Sequence, residues 1–94
     1  MKLTILFFSL FREYLGVDKI ELDFNNPVSL REVLDFIDSR FNGKLSKLIL
    51  NRDGSLRSDV HIVVNMNRIN PMDSSKIILS DGDVIAILPA PAGG

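Results

Sequence analysis

The opening stretch of the chain alternates between polar and apolar side chains and then breaks its own rhythm. Lys2 and Thr4 oppose Leu3, Ile5 and Phe7, the period-two pattern of a β-strand over residues 2–8. Holding that phase puts Leu6 and Phe8 on the side of Lys2 and Thr4. A sheet with one solvated face should not direct two large apolar side chains outward. Either both faces of this strand are covered, or its outer face is a docking surface. Ser9 then stands where a cap would open a short helix over residues 10–15, with Gly16 as its stop. Residues 18–24 alternate cleanly, with Ile20, Leu22 and Phe24 on one side, and Asn25-Asn26-Pro27 closes this half-buried strand.

The period then changes. Ser29-Leu30-Arg31-Glu32 has the form of a capping box, flanked by Val28 and Val33 at the staple positions. Leu30, Val33, Leu34, Ile37 and Phe41 follow helical spacing and form a stripe that should face the sheet. Asn42-Gly43 supplies a left-handed stop, Leu45, Leu48 and Ile49 suggest a further helical turn or two, and residues 51–55 read as a loop. Residues 60–65 form a β-branched strand, with Met66-Asn67 expected to turn it and Arg68-Ile69 to return briefly. A loop leads through Ile77-Ile78-Leu79 to the turn Ser80-Asp81-Gly82-Asp83, where Gly82 occupies the position that wants positive φ. The last strand is residues 84–88, and pairing is expected to end at Pro89, which has no N–H. Strands flanking one packed helix give an α+β fold, in the element order of a ubiquitin-like β-grasp with a mixed sheet on one main helix. In that fold the first and last strands lie parallel at the sheet centre. Leu88 would then join Leu6 and Phe8 on the outer face, with Val84 and Ala86, while Ile85 and Ile87 face the helix.

At 94 residues the chain makes one domain, read as a β-grasp over residues 1–88 and a flexible tail over residues 89–94. Cysteine is absent, so any sulfur nucleophile must come from another protein. That absence, with no signal-peptide pattern and no apolar run of membrane-spanning length, leads us to expect a cytoplasmic protein with no membrane role. Acidic residues dominate positions 13–38 and basic ones positions 40–57, yet the net charge is only −1, which argues against a nucleic-acid partner. His61 falls opposite the Ile62 and Val64 face and reads as a surface residue. Asp81 and Asp83 beside a required glycine read as a turn rather than a cation site. Gly93-Gly94 follows the last strand across a Pro/Ala spacer, with nothing on either residue to obstruct a narrow slot.

Three segments resemble one family: Phe7-Phe8-Ser9-Leu10-Phe11-Arg12-Glu13-Tyr14-Leu15-Gly16, then Val63-Val64-Asn65, then Leu79-Ser80-Asp81-Gly82-Asp83 through Leu88-Pro89 to Gly93-Gly94. They are similar to the MoaD/ThiS family of ubiquitin-like sulfur carriers, above all the small, MoaD-like subunit of molybdopterin synthase. The chain departs from the pattern in a longer segment over residues 42–59, in Met66 where glycine is frequent, and in Pro89-Ala90-Pro91 where adjacent prolines are usual. The resemblance implies that an E1-like adenylating enzyme activates the Gly94 carboxylate, with Gly93 letting the terminus enter its site. A sulfur donor protein then converts Gly94 to a thiocarboxylate, and the sulfur passes to a pyranopterin precursor in the large subunit of molybdopterin synthase during molybdenum or tungsten cofactor biosynthesis. The chain would be the sulfur-donating subunit of a transferase complex and no catalyst alone. It would bind no cofactor or metal itself, ATP and magnesium being used by the activating enzyme. Leu6, Phe8, Leu88, Pro89 and Pro91 are the residues expected to touch partners. The same ending suits a ubiquitin-like modifier joined through Gly94 to lysines, a thiamin-type sulfur carrier, or an adaptor in which the glycines are incidental.

Overall fold

The structure, a computed structural model, describes residues 1–90, with Pro71 described by its backbone alone. Strands β1 (Lys2–Phe7), β2 (Lys19–Asp23), β3 (Val60–Val64), β4 (Asn67–Arg68) and β5 (Val84–Pro89) are joined by helices α1 (Leu10–Leu15), α2 (Leu30–Arg40) and α3 (Lys44–Ile49). They form one five-stranded sheet in the order β2-β1-β5-β3-β4, with β5 in the middle. The first and last strands run parallel with Ile5 beside Ile85, and the other pairings are antiparallel.

Local chemistry starts the main helix. The Ser29 side chain accepts from the Glu32 amide and the Glu32 carboxylate accepts from the Ser29 amide, each at 3.1 Å, completing the capping box. Its stripe of Leu30, Val33, Leu34 and Ile37 is buried against Leu3, Ile5, Phe7, Ile62, Ile85 and Ile87 of the sheet, in one core that Leu45 and Ile49 of α3 also enter. The segment after residue 76 is bound back to the start of α2, Leu30 N–H donating to the Ile77 carbonyl and Leu79 N–H to that of Val28.

Three local expectations are corrected. Ser9 lies at φ 54° and makes no side-chain cap bond; its hydroxyl is not what starts α1, which is held at its end by Gly16 N–H on the Arg12 carbonyl. The β3–β4 hairpin turns at Asn65-Met66, one residue earlier than expected, with both residues at positive φ (50° and 73°) as a two-residue primed turn demands. Pairing also does not stop at Pro89, which sits opposite Val60 and is followed by a 2.8 Å bond from Ala90 N–H to the Asp59 carbonyl. The reason is parity. Even-numbered residues of β5 bond β3, whereas odd-numbered ones bond β1. The last bond on that side comes from Phe8, just past the end of β1, which donates to the Ile87 carbonyl. The proline therefore lacks its N–H on the side where no strand remains to receive it.

Candidate functional site

The outward residues of the three central strands form an apolar field. In register across the sheet stand Lys19, Leu6, Ala86, Val63 and Arg68, one residue from each strand. The row below carries Glu21, Thr4 and Val84; the row above carries Leu88 opposite His61, with Phe8 continuing the alternation of β1. Phe8 is 44% and Val84 37% exposed, and Leu6, Ala86, Val63 and Leu88 are half-buried. Apolar side chains at the centre and charges on the edge strands (Lys19, Glu21 and Asp23 on β2, Arg68 on β4) have the layout of a protein interface. The helices, including α3 from the 42–59 segment, are packed into the core on the opposite side, so nothing among the described residues covers this field.

One end of the field is braced by side chains. The Asn65 amide donates to Asp83 Oδ1 at 2.7 Å, and its oxygen accepts from the Val84 N–H at 2.9 Å. Asp83 Oδ2 accepts from Ser80 N–H, and Asp81 Oδ1 accepts from Lys2 N–H, both at 2.7 Å. The two carboxylates thus staple the turn that launches β5. Among the described residues no group of three or more acidic or histidine side chains is placed to hold a metal ion.

The other end is where the chain leaves the sheet. Beyond the Ala90–Asp59 bond, the Arg57 guanidinium donates twice to the Asp59 carboxylate, each bond 2.9 Å. Those hydrogen bonds hold the Asp59 carboxyl below the usual carboxylate range and raise Arg57. Since the folded-state value is the lower one, the pair's contribution is complete above the ordinary carboxylate range. It is lost as pH falls through the depressed value, so the fork is fully formed at neutral pH. Pro89 lines an open groove of about 220 Å³ with Leu10, Phe11, Leu48 and Val60.

Leu6, Phe8 and Leu88 therefore share one face, and Pro89 marks its upper rim; Pro91, Gly93 and Gly94 lie outside the described residues. Val63 belongs to the same field and went unremarked in the sequence, although His61 opposite the Ile62 face already assigned it that side by parity. The Asn65 brace and the Arg57–Asp59–Ala90 connection had no sequence signal, since each joins positions far apart in the chain or rests on a main-chain atom.

Comparison with known proteins matches residues 5–94 to the model of the ThiS family. Small archaeal modifier protein 3 of Haloferax volcanii is 29% identical over 94 residues, all of both chains. The crystal structure of SAMP1 from Haloferax volcanii superposes with a TM-score of 0.83 over 100% of each chain at 18% identity, a likeness of fold. A Pyrococcus furiosus structure described as molybdopterin converting factor, subunit 1, matches at a TM-score of 0.73 and 26% identity, covering 97% of this chain and 99% of that one. The fold is a ubiquitin-like β-grasp. Among the described residues no helix is long and apolar enough to cross a membrane.

Proposed function

The chain belongs to the ThiS family, and from that premise we propose that it is a cytoplasmic sulfur carrier acting as the small subunit of a molybdopterin synthase. The observation that carries the reading is the placement of the open apolar field of Leu6, Phe8, Ala86 and Leu88 at the root of the segment that bears Gly93-Gly94. An E1-like enzyme docks on that field and receives the C-terminus. The Gly94 carboxylate attacks the α-phosphate of ATP, releasing pyrophosphate and forming an acyl-adenylate, which exchanges a poor leaving group for AMP. The terminal sulfur of a donor protein's persulfide forms the carbon–sulfur bond as AMP departs. Cleavage of the remaining sulfur–sulfur bond by a thiol frees the thiocarboxylate. The chain's own residues supply docking and delivery, while the reacting side chains belong to the partners. The large subunit then takes the sulfur onto its pyranopterin substrate.

A second reading, conjugation of Gly94 to lysine amines, is favoured by the full-length likeness to a small archaeal modifier protein. Both readings share the adenylate and part afterwards. Intact-mass measurement after incubation with ATP, an E1-like enzyme and a persulfide donor separates them. Oxygen-for-sulfur exchange at the C-terminus is expected for the carrier, and high-mass conjugates that vanish when Gly94 is deleted mark the modifier. A chain lacking Gly93 and Gly94 is expected to support neither. If that truncated chain keeps its function in cells, the terminus is not the reagent and both readings are wrong.

A further inference from the structure

The role of the 42–59 segment is open in everything above, and its end meets the chain where β5 finishes. A continuous series of bonds links them. Arg57 N–H donates to the carbonyl of Ile49 at 2.8 Å, and Ile49 is buried in the core. Val60 N–H donates to the Arg57 carbonyl at 3.3 Å, closing a tight turn. Within it the Arg57 guanidinium grips the Asp59 carboxylate through two bonds. The Asp59 carbonyl, held by that turn, accepts from Ala90 N–H at 2.8 Å. An exposed ion pair adds little stability by itself. Here it orients a main-chain acceptor, which is a positional task rather than an energetic one.

The geometry points to the Arg57-Ser58-Asp59 turn as an anchor that sets the reach of the reactive terminus, with Arg57 and Asp59 as positioning residues. With Ala90 the last bonded residue among those described, delivery is counted from Ala90 and not from Leu88. At ~3.3 Å per residue the four residues that follow span at most about 13 Å, against about 20 Å for six. The reach therefore selects partners whose docking surface and reaction centre are separated by the shorter distance. A displacement of an ångström or two at a reacting atom can cost on the order of a hundredfold in rate, so one residue of reach is a meaningful quantity. This inference rests on the adenylation reading, and its test has one arm that needs no enzyme.

Hydrogen exchange on the intact chain is that arm. The Ala90 amide is expected to exchange about tenfold or more slowly than an unstructured amide. In Arg57→Ala that protection should fall several-fold while the Val63 amide, paired with Ala86 in the β3–β5 ladder, stays protected, separating a local release from unfolding. The second arm follows ATP–pyrophosphate exchange with the E1-like enzyme. Deleting Ala92 removes one residue of reach and is expected to lower the catalytic efficiency by about a hundredfold. Ala90→Pro removes the donor to Asp59 and moves the last bonded residue back to Leu88, returning two residues, about 7 Å, so in the deletion background it should recover roughly tenfold. An unprotected Ala90 amide overturns the anchor. A protected amide with no recovery in the double variant overturns its control of reach. A wild-type chain that supports no pyrophosphate exchange overturns the adenylation reading and the reach assigned to it, while the amide measurement still decides the anchor.

Discussion

Ile87 and Leu88 are consecutive residues of the central strand, similar in size and hydrophobicity, and they serve different ends. Ile87 points under the helices with Ile5, Phe7 and Ile85 and is fully buried. Leu88 points the other way, beside His61 and near Phe8, and is half-buried with no helix above it. The lesson is that apolar character does not assign a role on this sheet; cover does. The odd-numbered residues of β1 and β5 hold the domain together, and the even-numbered ones, left uncovered by the helices, form the face proposed for a partner. One register slip would exchange the two sets.

The largest expected effect lies on the covered side. Ile87→Ala leaves a cavity beneath α2 and should cost about 2–5 kcal/mol in denaturant unfolding. A loss below about 1 kcal/mol would mean that the two faces are not distinct in packing. Leu88→Asp should invert the pattern: unfolding stability within about 1 kcal/mol of wild type, and affinity for the E1-like enzyme roughly 30-fold weaker by titration calorimetry, the magnitude of an interface hot spot. Unchanged binding would remove the outer face from the docking role. The smallest effect sits at the corner of the sheet. Met66 is 94% exposed at φ 73°, so Met66→Gly should relieve backbone strain and stabilise by about 0.5 kcal/mol while leaving binding unaltered. Weakened binding there would extend the docking field as far as the β3–β4 turn.

What the sequence disclosed followed from how local each cause is. The capping box needs only positions 29–32, and the β2 alternation only its own strand, so both could be read directly. The misfit of Leu6 and Phe8 was equally visible, because parity is a property of one strand. Ser9 misled, since a cap requires an extended backbone and the chain turns here at φ 54°. The Asn65-Met66 turn misled for a related reason: the residue at the tight position is not the glycine that normally marks it. Val63 lay concealed in a run of β-branched residues suited to either face. The carbonyl of Asp59 could not be foreseen as the partner of Ala90, because a main-chain oxygen leaves no trace in the identity of its side chain. The terminal glycines, from which the functional reading starts, lie beyond residue 90.

The central position of β5 has a mechanical consequence. A partner that holds the outer face and draws the C-terminus into a channel pulls along this strand. On one flank β5 is bonded to β1 from Val84 through Ile87, and on the other to β3 through Pro89. The ladders on both flanks lie across the direction of pull, so they share the load in shear and must yield together. A terminal strand at the sheet edge would peel away one bond at a time. The domain is in this sense a handle whose shaft runs through its middle, able to transmit tension to its tip without unravelling.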